Sequence, residues 1–151
     1  MAQVVYNAKL KALLDGTFNF ATADIRVLLL QENSDINPDD ATVAAVLARA
    51  GTAELTSTNY SRQSLAGQAT NQNDTDNRAE FDANDVTFSS VDQAASETVT
   101  GVLVFVHDTN DAGSTPLFFD DTLTGLPLTP NGSDITITWH ADGIIHVAKA
   151  A

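Results

Sequence analysis

The chain contains no cysteine, so disulfides and thiolate zinc sites are excluded, and stability must come from the core or from association. That composition suits a protein made in a reducing cytosol that later meets an oxidising exterior. One Trp and two Tyr make a poor supply of aromatic walls for a sugar-hydrolysing cleft. The glycines stand singly between elements, so neither a P-loop nor G-x-G-x-x-G occurs, and no G-x-S-x-G elbow presents a serine nucleophile. No apolar run approaches the roughly 20 residues that span a bilayer. Lys9 and Lys11 interrupt the stretch where a secretory signal would be apolar, so a soluble, unprocessed chain is expected. Cations are scarce as well: seven Lys and Arg stand against twenty Asp and Glu, a formal net charge of −13. That field repels nucleic-acid phosphates and anionic membranes over about 8 Å at physiological salt, so neither is expected as a partner. The excess acid reads first as a solubilising surface and second as a match for an electropositive partner.

What is present reads as strands and turns. Residues 99–106 form a nearly unbroken apolar run and 117–119 a shorter one. Ile135, Ile137 and Trp139 alternate with polar neighbours, and residues 143–147 close the series. Turn-forming clusters at 108–113, 126–127 and 130–134 separate these runs. Short strands at such spacing predict an antiparallel β-sandwich or a partly closed barrel.

Two short helices are expected upstream. In residues 4–14, Tyr6, Leu10, Leu13 and Leu14 share one helical face, with Gly16 as the stop. Residues 23–30 then put Ile25, Val27 and Leu29 on one side of a strand. In residues 37–50, Asn37 suits an N-cap, Pro38 the first turn, and Asp39 and Asp40 the positive helix end, with Gly51 following as a stop. Val43, Val46, Leu47 and Ala50 form its expected buried stripe. Ala41, Ala44, Ala45 and Ala48 form a small-residue surface beside it, which points to self-association. The polar region 52–77 should be extended or looped, anchored by Leu55, Tyr60 and Leu65, and 78–88 returns to strand patterning with Phe81, Val86 and Phe88 buried. No repeat or boundary breaks the chain. The expectation is a single domain over 1–151 of α+β, mainly β class, burying roughly 70% of the surface its unfolded chain exposes.

Each constellation that could carry chemistry also has a structural reading. Asp74 and Asp76 open like an EF-hand loop, but Arg78 takes a ligand position, Ala79 replaces the turn glycine and Asp85 stands where a bidentate Glu belongs. A looser calcium site on Asp74, Asp76 and Asp82 competes with turn chemistry, in which Asx side chains bond nearby backbone and Arg78 pairs with a local carboxylate. His140 and His146 lie on or near adjacent strands and could approach each other beside Asp142. With His107, they lack zinc-like or triad spacing and read as surface or strand-edge histidines. Trp139 reads as core rather than as a sugar platform.

The order of motifs carries more than any one of them. ALLDG (12–16) and DIRVLLL (24–30) are followed by NYSRQSLAG (59–67) and NRAEFDANDVTF (77–88). GVLVFVHD (101–108), STPL (114–117) and ITITWHADGI (135–144) complete the series. This order resembles a family of small virion proteins of tailed bacteriophages over nearly the whole chain. The resemblance implies a structural role, foremost a head decoration or cement protein. Such a protein is made in the host cytoplasm, lies on the capsid exterior, binds the major capsid protein and associates with itself as a homotrimer. It also implies no enzyme activity: no catalytic, cofactor-binding or metal residue is carried over, and no cofactor. A tail, neck or head-fibre component is the second reading. A host-surface or carbohydrate-binding module, using Tyr60 and the 52–77 region, is the third. Residues 1–6 could form a docking arm that adds to a neighbouring strand or groove, or could begin the first helix. The acidic loop after Val106 is longer than a tight hairpin needs and marks a candidate surface feature.

Overall fold

The apolar run from Val27 to Leu30 has no polar break, so as a strand it must be buried on both faces. In the computed structural model, which describes residues 3–92 and 97–148, that is its position. In chain order the elements are β1 (Val4–Val5), α1 (Asn7–Leu14), β2 (Ile25–Asn33), α2 (Val43–Leu47), β3 (Thr52–Glu54), β4 (Gln63–Ser64), β5 (Ala69–Asn73), β6 (Arg78–Asp82), β7 (Val86–Phe88), β8 (Gly101–Val106), β9 (Thr115–Asp120), β10 (Ile135–Ile137) and β11 (Ile145–Ala148). The fold is α+β and mainly β: antiparallel sheets packed as a sandwich with two short helices, no sheet closing into a barrel.

One sheet runs β1-β9-β8-β2-β3, with β4 sharing the β3 edge of β2. Its two faces feed two cores. Ile25, Val27, Leu29, Val102 and Val104 point into the larger one, where Phe81, Val86, Phe88, Ile135, Ile137 and Trp139 arrive from the β10-β7 and β11-β6-β5 sheets. Leu28, Leu30, Leu103 and Phe105 point the other way, under Val43 and Val46 of α2 and the ring of Tyr6. Between Val104 and Phe105 the β8–β9 register shifts: Val104 pairs with Phe118 but Phe105 with Pro116. Leu117 is the extra residue of a bulge, and it and Phe118 both enter the larger core while Phe119 enters the smaller. Gly101 is required beside it, since a Cβ there would stand 2.6 Å from the Phe119 ring.

Buried polar groups close the gaps between elements. Where β3 and β4 leave the β2 edge open, the Leu29 N–H donates to the Tyr60 hydroxyl at 3.0 Å, which itself donates to Glu54 at 2.8 Å. Burial, and then the Glu54 charge, push the Tyr60 phenol well above its ordinary pKa. Burial also disfavours the charge on Glu97. The hydroxyls and backbone N–H groups of Thr56 and Ser57 more than offset this, and its pKa falls below the usual value.

Three local expectations are corrected. Residues 4–14 are not one helix: Val4 and Val5 pair with Phe119 and Phe118, and the helix starts at Asn7. The segment expected as a docking arm or helix start is thus the edge strand of its own sheet from Val4 onward; Met1 and Ala2 lie outside the described residues. The Gly16 stop holds: at φ +68 it lets the Thr17 N–H reach the Ala12 carbonyl and its own N–H reach Leu13, a Schellman motif.

The second helix covers Val43–Leu47 rather than 37–50. Asn37 caps a turn by accepting from the Asp39 N–H, and Asp40 is held by Arg49 at 2.6 and 2.8 Å. The helix begins where its first N–H groups find other acceptors: Val43 donates to the Ser114 carbonyl, Ala44 to the Asp111 carbonyl and Ala45 to the Thr42 hydroxyl. Val43 and Val46 are buried, but Ala50 is exposed, and the alanine surface is partly covered by the 107–114 loop. That acidic loop is therefore a brace for α2. The Ser114 hydroxyl ties it together, accepting from the Asp108 N–H and donating to the Asn110 carbonyl.

Candidate functional site

Leu13 and Leu14 are adjacent, and neighbours on a helix point about 100° apart, so one core cannot take both fully. Leu13 is half-buried against the larger core and Leu14 is 87% exposed. Below α1 lies the β11-β6-β5 sheet, whose residues on this side form two rows. Thr70, Phe81 and Ile145 make the inner row, and Gln72, Ala79 and Val147 the outer. Phe20 covers the inner row, its ring stacked on Phe81 at 4.3 Å between centroids. Nothing among the described residues covers the outer row, and Val147 stays 44% exposed. Leu14, Phe20, Ala79 and Val147 therefore line an open groove of about 270 Å³. Leu10, 39% exposed, borders its continuation along α1. Leu10, Leu14 and Val147 are all the exposed large hydrophobic side chains among the described residues, and they meet on one surface.

Charges of both signs border the groove: Lys9 on the helix side, Asp74 with Arg78 on the hairpin side, and Glu80 in the lining itself. On the α1 side stand Lys9, whose ammonium sits 5.0 Å over the Phe18 ring, and Lys11, paired with Asp15. On the other side is the β5–β6 hairpin, with Asp74 and Asp76 at its tip, which meets the groove at Ala79 and Val147. The four arginines are each engaged by carboxylates. Arg26 pairs with Asp24, Arg49 with Asp35 and Asp40, Arg62 with Glu54 and Asp111, and Arg78 with Asp76, Glu80 and Asp142. Arg62 holds the Asp111 carboxyl below the usual carboxylate range, and the Asn73 amide with Arg78 does the same for Glu80.

The residues weighed for chemistry are placed as follows. Asp74, Asp76 and Asp82 do not converge: Asp74 accepts from Gln72, Asp76 from Asn73, and Asp82 from the Ala83 N–H at the far end of β6. His140, Asp142 and His146 do share a cleft, of about 420 Å³, with Gln3, Val5 and Phe118. There the His140 Nδ1 accepts the Asp142 N–H at 3.1 Å. His107 stands apart at the end of β8, its ring 6.4 Å from Phe105. Among the described residues no three His, Asp or Glu side chains are close enough to hold a metal ion. Trp139 is buried, with its indole N–H donating to the Asn84 carbonyl at 3.1 Å. Tyr60 stacks on Phe88 at 5.8 Å. No protein-family model matches the chain, and no curated protein matches it in sequence.

Sequence reasoning singled out the alanines of the second helix as a surface and did not single out the groove. The signal was the leucine pair at 13 and 14, too wide for a short helix resting on a single layer.

Proposed function

We propose that this chain is a structural protein of a tailed-phage particle, a decoration or cement protein. It binds the outside of the shell, contacts the major capsid protein and strengthens the lattice through several copies, expected as trimers. A shell holding packaged DNA is under outward pressure. A rigid domain that bridges neighbouring capsomers resists it by added contact, multiplied when copies are linked.

The observation that supports this most is the distribution of unused surface. The arginines, Ser114, Trp139 and Tyr60 are spent on internal bonds, while one apolar groove is left open on an acidic exterior. That is the economy of a protein that attaches rather than one that turns over a substrate. The resemblance of its motif order to phage virion proteins supports a place on the particle.

The experiment is deletion from the particle. Particles assembled without this protein should lose resistance to heat or to low-salt shock while keeping normal tails and host attachment. Intact, resistant shells with defective tails or adsorption would move the protein to the neck, tail or fibre and overturn the shell reading.

A further inference from the structure

Among the described residues the sandwich has one seam with an open strand edge on each side. β1 is the terminal strand of the six-stranded sheet and β11 of the three-stranded one. Both border the cleft of about 420 Å³, β1 through Val5 and β11 through Ile145 and His146. The backbone of each strand is turned toward it. Val4 pairs with Phe119, and the Tyr6 N–H donates to the Leu117 carbonyl at 3.1 Å. Alternate residues of an antiparallel ladder bond the same neighbour, so the N–H and carbonyl of Val5 turn away from β9. On the other side the Phe81 carbonyl accepts the Ile144 N–H at 2.8 Å, so Phe81 bonds toward β11 and its partner Ile145 toward β6. The N–H and carbonyl of His146, the next residue, therefore turn outward. Backbone donors and acceptors thus look into one space from two sides.

We infer that this cleft takes an extended segment of a partner protein, inserted as a strand that pairs with β1 on one edge and β11 on the other. The backbone groups select the occupant. An extended polypeptide carries donors and acceptors along both of its edges at strand spacing, as in strand addition to an open sheet. A helix has used its backbone groups internally, and a compact small molecule reaches few of those offered here. The lining sets the side-chain pattern. Phe118, Ile144 and Ile145 are buried side chains that border the cleft, while His140, Asp142 and His146 are polar. The incoming strand therefore alternates apolar and polar residues. Past Gln3 and His140 the seam continues into a hollow of about 320 Å³ that reaches Thr122 and Trp139, which gives the segment room beyond the two ladders. The inference goes beyond the proposed function and stands without it, because pairing at the seam does not depend on where the protein resides.

Purified full-length chain tests it with the blocked heptapeptide Lys-Thr-Val-Thr-Val-Thr-Lys as probe. Titration followed by amide NMR should show saturable binding tighter than about 1 mM. The amides of Val5 and His146 should exchange with solvent about tenfold more slowly in the complex. Two further peptides, N-methylated at the odd or at the even residues, keep the charge and side chains but lose the donors of one edge. Both should bind about tenfold more weakly or worse, because both edges are used. His146→Pro removes an N–H that points out of the sheet, a place where an edge strand tolerates proline. It should keep the parent circular dichroism spectrum and weaken the unmethylated peptide about tenfold. A parent that binds no peptide would overturn the inference. So would binding that leaves the Val5 and His146 amides unprotected, or N-methylated peptides that bind like the parent peptide, which would mean that only one edge is paired.

Discussion

The six-stranded and three-stranded sheets are built from the same antiparallel ladder but are finished differently. The larger is roofed on both faces, by the smaller sheets on one side and by α2 with Tyr6 on the other. The smaller is roofed over one row of side chains, Thr70, Phe81 and Ile145, and then stops. The cause is length. After its Schellman turn the chain descends through Phe18 and Phe20 directly into β2, so only two rings remain to cover the sheet below. Burial of a leucine or valine side chain is worth about 1.5–3 kcal/mol, so the roofed sheet holds the fold together. The outer row of the other contributes little to the isolated chain.

The largest test of this contrast charges the roofed sheet. Val104 is fully buried in β8 and faces the larger core. Val104→Asp should destabilise by about 4 kcal/mol or more, enough to leave much of the protein unfolded. Denaturant unfolding reads the loss, and melting like the parent would mean that β8 is not a buried strand.

A matched pair sharpens the contrast. Leu103→Ala, on the smaller-core face of the same strand, should cost about 3 kcal/mol. Val147→Ala, in the unroofed row, should cost less than about 0.5 kcal/mol, measured at concentrations too low for association. Similar costs for the two would show that the sheets are equally finished.

The smallest effect concerns the loops that hold the roof. Glu97 has a folded pKa below its unfolded value of about 4.3. Its contribution is therefore complete above that value and lost as pH falls through the folded pKa. Glu97→Gln should cost about 1–2 kcal/mol near neutral pH, with the gap to the parent narrowing in acid. Thermal melts across the acid range test the sign, and a gap that widens instead would place the proton elsewhere.

Much of the strand pattern, in the roofed sheet and in the sheet of β10 and β7, was legible from residue order. The alternation at Ile25, Val27 and Leu29, the apolar run ending at Val106 and the Ile135–Ile137 pattern all mark strands that the structure contains. The Gly16 stop and the buried trio Phe81, Val86 and Phe88 were equally plain. The failures share a physical origin. Val4 and Val5 are strand because Phe118 and Phe119 pair with them, and α2 is short because Ser114 and Asp111 supply its N-terminal acceptors. Both partners lie far along the sequence, where local propensity carries no information. The groove escaped for a related reason: amphipathic spacing tells which side chains can share a face, not whether anything comes to cover it.

The extra residue at Leu117 sets a parity for everything downstream in β9. Because Leu117 and Phe118 turn the same way, Phe118 and Asp120 fall on one layer and Phe119 on the other. A single-residue deletion there would not shorten the strand so much as exchange its layers. Asp120, which is buried and accepts from Gln3 and Thr122 on its present side, would be driven toward the apolar cover of α2. The same slip would carry β1 with it, since Val4 and Val5 take their register from these residues. Insertions and deletions in this strand should therefore be tolerated in twos and rejected singly, a constraint on how the length of the chain can drift.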